Sequence, residues 1–297
     1  IMAGRLPKPG RISLSPMLSY RGKLCGDLTV ACLDENEFMV FGSGAAQEMH
    51  RRWFESHLDK FNLSYSNRSD EYHGLSIAGP NSRKVLEKIV RDDVSNEKFK
   101  FRDSRRMFVG GVPAIINRIS FTGELGYEIY VAPHYQLKLY EELMEAGKEF
   151  NIKPFGGRAL MSMRLEKNWG AWTLDYRPDF TAKETGLDAF INWDKEFIGK
   201  ESAQKENSSN KLVPLIVETN EIDVTNNEAV LNGDQSIGYV TSGGFAHFVN
   251  KSVAFTFVDQ KNINSENKIQ VEINGDLFNC SIIKEPLYDP SGQKMRS

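Results

Sequence analysis

Cysteine is scarce in this chain: 3 of 297 residues, at positions 25, 32 and 280. Cys25 and Cys32 lie an odd number of residues apart on one apparent strand and so point to opposite faces. A disulfide framework is therefore not expected, and a reducing compartment is the default. Long apolar runs are absent too, since no stretch of about 18 residues could span a bilayer, and the start carries no signal-peptide pattern. Charge of one sign is missing as well. The formal net charge is −3, which gives no nucleic-acid or membrane-surface footprint. The five histidines, at 50, 57, 73, 134 and 247, have no cysteine or acid partner at metal-ligand spacing, so no metal site is expected. His50 and His57 fall on a helical pattern and are expected at the surface. No repeat, low-complexity tract, or Ser/His/Asp or Cys/His arrangement stands out. The segment Gly42 to Gln47 (GSGAAQ) lacks the Lys-Ser/Thr ending of a phosphate loop and reads as a strand-to-helix turn.

What is present is ordinary soluble composition, 40% hydrophobic and 26% charged, over a length that suits two or three domains. LCGDLTVACL alternates as a strand, DENE supplies a four-residue loop, and FMVFGS returns. Apolar spacing predicts helices over 44–60, 134–150 and 156–168. HGLSIAGPNSRKVLEKIV reads as strand, Gly-Pro turn and helix, with Pro80 in the first turn. Strand–strand–helix–strand–helix–strand–strand–helix is an α+β order, with helices laid over antiparallel sheets. Near residue 205 the texture changes, and QKENSSNK suits a linker. Six short strands with Asn-Gly and Gly-Gly turns follow, which predicts a small closed β-barrel. The expected division is therefore 1–205 and 206–297.

Two acids stand out. In RISFTGELGYEIYV, Glu128 alternates with Tyr127 and Ile129 and shares a face with Tyr130. That face is either solvated or the wall of a site where a carboxylate meets adjacent N–H donors on a flat ligand. Glu124 lies in the turn, where exposure is expected. Asp27 interrupts a strand pattern in which Asp is uncommon, and Thr29 shares its face. This polar face is again either surface or pocket wall, and within a pocket desolvation would raise the Asp27 pKa and make it a better base. Trp169, Trp172 and Tyr176 follow the RLEK helix end, as packing or as a stacking surface for a planar ligand.

In one order along the chain, SPMLSYRGKLCGDLTV, GLSIAGPNSRKVLEKI, RISFTGELGYEIY, MRLEKNWGAW, ETGLDAFINWDKEFIGKESA, VTSGGFAHFVNKSVAFTFV and IIKEPLYDP resemble the folate-dependent aminomethyltransferase family. This family comprises the T-protein of the glycine cleavage system and its relatives. The resemblance is strongest to the tetrahydrofolate-binding C-terminal region of dimethylglycine and sarcosine dehydrogenases. It implies three lobes around a central hole that holds tetrahydrofolate. It places Asp27 on the catalytic acid and makes Thr29, Phe121, Glu128 and Trp172 cofactor-binding, Glu128 gripping the pterin 2-amino and N3 groups. Phe121 stands where some relatives have Tyr, keeping the packing without the hydroxyl. The implied reaction captures a one-carbon unit from an N-methyl amine or its iminium as 5,10-methylene-tetrahydrofolate.

The chain starts without an initiator Met and, by the resemblance, after the first N-terminal strands with which the relatives begin. It is expected to be an N-terminally incomplete piece whose FAD partner domain would lie upstream. The expected compartment is cytoplasmic, or the mitochondrial matrix in a eukaryote. The glycine-cleavage aminomethyltransferase itself and a non-catalytic folate-binding module are the alternative roles.

Overall fold

The computed structural model describes residues 1–219, 221–263 and 268–297. Three sheets organise it. The first is antiparallel, in order β1 (Arg11–Leu18), β2 (Leu24–Asp34) and β3 (Glu37–Phe41). The β2–β3 loop is only Glu35–Asn36, shorter than expected, because the two outer residues of DENE already pair as Asp34↔Glu37. After a short turn comes α1 (Gln47–Leu58).

The second sheet uses β4 (His73–Ala78), β5 (Ser104–Val109), β6 (Val112–Asn117) and β7 (Gly126–Val131), in the order β4-β7-β6-β5. The helices α2 (Ser82–Ile89) and α3 (Gln136–Gly147) cover one face. Tyr127, Ile129 and Val131 project from β7 into that layer against Leu86 and Leu139, all fully buried. Each such side chain contributes about 1.5–3 kcal/mol on leaving water. Strand alternation therefore directs Glu128 and Tyr130 to the opposite face.

α4 (Gly157–Glu166) leads into the irregular segment 167–181, then α5 (Ala182–Thr185) and α6 (Lys200–Gln204). The third sheet is a closed six-stranded barrel of β8 (Asn210–Val217), β9 (Ala229–Asn232), β10 (Gln235–Ala246), β11 (Lys251–Asp259), β12 (Ile269–Ile273) and β13 (Asp276–Ile282). Its interior is valine-rich, with Val217, Val230, Val240 and Val271 almost fully buried. Closure removes both sheet edges. Leu165 on α4 packs with Ala246, Val253 and Phe255 and seats the helix on the barrel wall. The tail ends in α7 (Gln293–Arg296). No helix among the described residues is long and apolar enough to cross a membrane.

Two strands escaped the sequence reading. β1 carries Pro16 and two serines, and β5 opens Ser-Arg-Arg, so neither shows clean apolar alternation. His50 is a correction: it is buried, its ring nitrogen 3.0 Å from the Cys25 carbonyl oxygen. Gly26 and Gly42 make room for the imidazole, since a Cβ at either would crowd it. His57 remains partly exposed at the end of α1, its ring bonded to Tyr20 and the Trp53 carbonyl.

Candidate functional site

Glu128 sits on a central strand, opposite Ser76 on one side and Asn117 on the other. Tyr130, next on the same face, donates its hydroxyl to Glu128 Oε2 at 2.7 Å. That phenol is held in place from two directions. Gly74, its cross-strand neighbour, leaves a space that any Cβ would fill against the ring, and Phe41 of β3 packs with ring centroids 4.4 Å apart. Burial pushes the Glu128 carboxyl above the ordinary value, opposed by the Tyr130 hydrogen bond. Glu128, Phe121, Ser76 and Asn81 line a cavity of about 750 Å³ whose other walls are largely apolar. A volume of this order suits a small flat ligand.

The turn that carries Phe121 is anchored from behind. Ser120 Oγ accepts from Gly123 N–H at 3.0 Å, and Gly123 has φ +85°. Lys167 at the end of α4 fills the space a side chain at Gly123 would need. The ammonium of this buried lysine donates to the carbonyls of Tyr288 (3.1 Å) and Asp289 (2.6 Å). Phe121 stacks on Trp169 with centroids 6.3 Å apart. Glu124 is half-buried rather than exposed as the sequence suggested, because the Tyr288 hydroxyl donates to its carboxylate.

Asp27 and Thr29 share one face of β2, opposite Pro16 and Leu14 of β1. Burial raises the Asp27 pKa to about 7, partly countered by a hydrogen bond from its own backbone. Asp27, Thr29 and Trp172 do not line the cavity that Phe121 and Glu128 line. Thr29 is linked towards it through its register partner Phe41, whose ring packs on Tyr130, the hydrogen-bond donor to Glu128. Leu14, Trp172 and Tyr176 all pack against the apolar cluster that contains Leu18, Leu24 and Leu187.

The loop bearing Trp172 and Tyr176 is fixed by a buried ion pair that no local pattern reveals. Asp175 receives Arg164 Nη1 at 2.7 Å, the Ala171 N–H at 3.0 Å, Thr241 at 2.5 Å and Ser242 at 2.8 Å. Arg164 adds a bond to Ser242 at 2.6 Å. Both partners are essentially without solvent contact.

A six-stranded barrel together with two antiparallel sheets, each carrying a half-buried acid on one face, calls for comparison with known proteins. Residues 1–195 match the GCVT N-terminal domain and residues 210–289 the glycine cleavage T-protein C-terminal barrel domain. The chain belongs to the glycine cleavage T-protein family. Human mitochondrial dimethylglycine dehydrogenase is 34% identical over 295 residues, which cover 97% of this chain and 34% of that protein. The chain thus spans about a third of the length of that T-protein-family relative. An aminomethyltransferase of Thermoanaerobacter pseudethanolicus is 29% identical over 292 residues, 97% of this chain and 78% of that one. In fold, the chain superposes on the glycine cleavage system aminomethyltransferase T of Bartonella henselae with a TM-score of 0.85 at 22% identity, covering 96% and 78% of the two chains.

Proposed function

We propose that this T-protein-family chain binds tetrahydrofolate and captures on it the one-carbon unit of an iminium, the already oxidised form of an N-methyl amine, releasing the free amine and a proton and forming 5,10-methylene-tetrahydrofolate. Residues 1–205 would supply the folate site and residues 206–297 the barrel behind it. The observation that carries the proposal is Glu128: a half-buried carboxylate with one oxygen held by Tyr130, lining the same cavity as the Phe121 ring. That donor set fits the folate. A pterin presents two adjacent N–H donors on one edge, and the remaining carboxylate lone pairs accept them. Phe121 would offer a flat apolar surface, and Thr29 and Trp172 would meet the folate from outside this cavity.

Bound tetrahydrofolate supplies a nucleophilic nitrogen. Asp27, poised by burial near neutrality, accepts the proton that this nitrogen gives up. As a carboxylate it also stabilises positive charge developing beside it.

Anaerobic titration of the protein with tetrahydrofolate tests the proposal, paired with one-carbon transfer by Asp27→Asn. The asparagine variant is expected to bind folate normally and to transfer at least tenfold more slowly. No saturable binding by the wild type would defeat the proposal, and equal turnover would remove Asp27 from its role. The aminomethyltransferases matched over 78% of their length favour a second reading, transfer from an aminomethyl group on a lipoyl carrier protein. Activity that requires such a carrier would select it.

A further inference from the structure

One row of polar side chains crosses the second sheet. Ser76 on β4, Glu128 on β7, Asn117 on β6 and Ser104 on β5 are successive register partners, on the face turned away from α2 and α3. Ser76 and Glu128 line the cavity. Directly paired residues on one face have Cβ atoms about 4.5–5.5 Å apart. Asn is uncommon within strands, yet Asn117 is fully buried. Its Oδ1 accepts the Ser104 hydroxyl at 2.7 Å. The two ends of a planar amide diverge, so the Nδ2 is turned to the other side, toward β7 and Glu128. Among the described residues that Nδ2 has no acceptor, and it is closed to solvent as well. A buried donor in that state is costly, and its acceptor has to be a neighbouring side chain. Holding Ser104 needs only the carbonyl end of Asn117, so that bond does not account for the donor. The next row offers no rival. Tyr130 pairs there with Ile115, and Ile115 with Arg106, whose guanidinium is tied to Glu37.

We infer that Asn117 is a positioning residue for the folate site proposed above, on which the inference rests: in the loaded site its free N–H holds the second oxygen of the Glu128 carboxylate. In the ligand-free protein that carboxylate is turned along its own strand, where Oε2 accepts the Tyr130 hydroxyl. The last torsion of a glutamate is broad, so a small rotation carries Oε1 to Asn117 without releasing Tyr130. One donor then lies along the strand and the other across it, and together they fix the plane of the carboxylate. A carboxylate has about four lone-pair sites. With two taken by the protein, the remaining two stand side by side, matched to the adjacent 2-amino and N3 hydrogens of a pterin. Asn117 touches no ligand atom in this arrangement and acts through Glu128.

Anaerobic titrations of tetrahydrofolate into wild type, Asn117→Ala, Glu128→Ala and the double variant test the coupling. Asn117→Ala should weaken binding about three- to tenfold, part of the worth of a hydrogen bond to a charged group. In the Glu128→Ala background the same change should alter affinity by less than about twofold, because the acceptor it serves is gone. Asn117→Leu, closer in volume, takes the place of alanine in the cycle if the smaller side chain impairs folding. With isotopically labelled asparagine, the Asn117 side-chain proton signal, assigned by its loss in Asn117→Ala, should move downfield on saturation of the wild type with tetrahydrofolate. Equal losses in both backgrounds, the mark of packing alone, or a signal that ignores the ligand overturns the inference and leaves the folate site standing. Failure of the wild type to bind tetrahydrofolate would defeat the parent proposal, and this one with it.

Discussion

Replacing Glu128 with alanine removes the acceptor on which ligand recognition is built. In the free protein Oε2 already takes the Tyr130 hydroxyl, so the ligand meets mainly the other oxygen and the remaining lone pairs. One or two charge-assisted bonds, at about 1.5–3 kcal/mol each, give a binding loss of about 2–4 kcal/mol, or roughly 30- to 1,000-fold in Kd. Fold stability moves the other way in part, because a carboxylate held above its ordinary pKa by burial is itself a cost. The Tyr130 hydroxyl left behind offsets this by about 1–3 kcal/mol, so the melting temperature should change by only a few degrees. Anaerobic calorimetric titration with tetrahydrofolate, alongside thermal melts, separates the two effects. A folded Glu128→Ala protein whose tetrahydrofolate affinity lies within threefold of wild type would refute the reasoning.

Asp27 links stability to pH. Its carboxyl favours the protonated form in the fold, moving from 3.8 to about 7. Folding therefore takes up a proton between those values, and the stability cost grows as pH rises through that window and is constant above it. At about 1.4 kcal/mol per pH unit, and discounted for partial solvent contact, Asp27→Asn should stabilise by about 2–4 kcal/mol at pH 8 and by nothing below pH 4, read by denaturant melts. One-carbon transfer by the wild type should rise with pH through about 7. Asp175→Ala leaves Arg164 buried without its partner and should cost about 3–5 kcal/mol, seen as a lower denaturation midpoint. Glu124→Ala breaks the bond to Tyr288 at an expected cost of about 1 kcal/mol, with tetrahydrofolate affinity within threefold of wild type.

The barrel was legible because short apolar runs around the Asn-Gly turns at 232–233 and 274–275 leave little else to build, although Gly243-Gly244, read as a turn, is paired within β10 instead; period-two alternation correctly put Glu128 and Tyr130 on one face. The bond between those two was not legible, since a shared face does not say that a phenol will turn back along its own strand. Local pattern also misjudged His50, whose burial depends on the small residues Gly26 and Gly42 elsewhere in the fold. Asp175 was silent for the plainest reason: two of its partners, Thr241 and Ser242, lie 66 and 67 residues away. Glu124 looked like a turn residue facing water because its partner, Tyr288, is 164 residues distant.

The stretch beyond the barrel returns across the molecule. Tyr288 clasps Glu124, its carbonyl and that of Asp289 hold the Lys167 ammonium, and Arg83 and Arg118 both reach the Ser297 carbonyl. Such a clasp makes the last ten residues a cooperative latch. Heating should melt front and back together in one transition, and proteolytic removal of the latch should loosen the ligand-binding turn before it disturbs a single barrel strand.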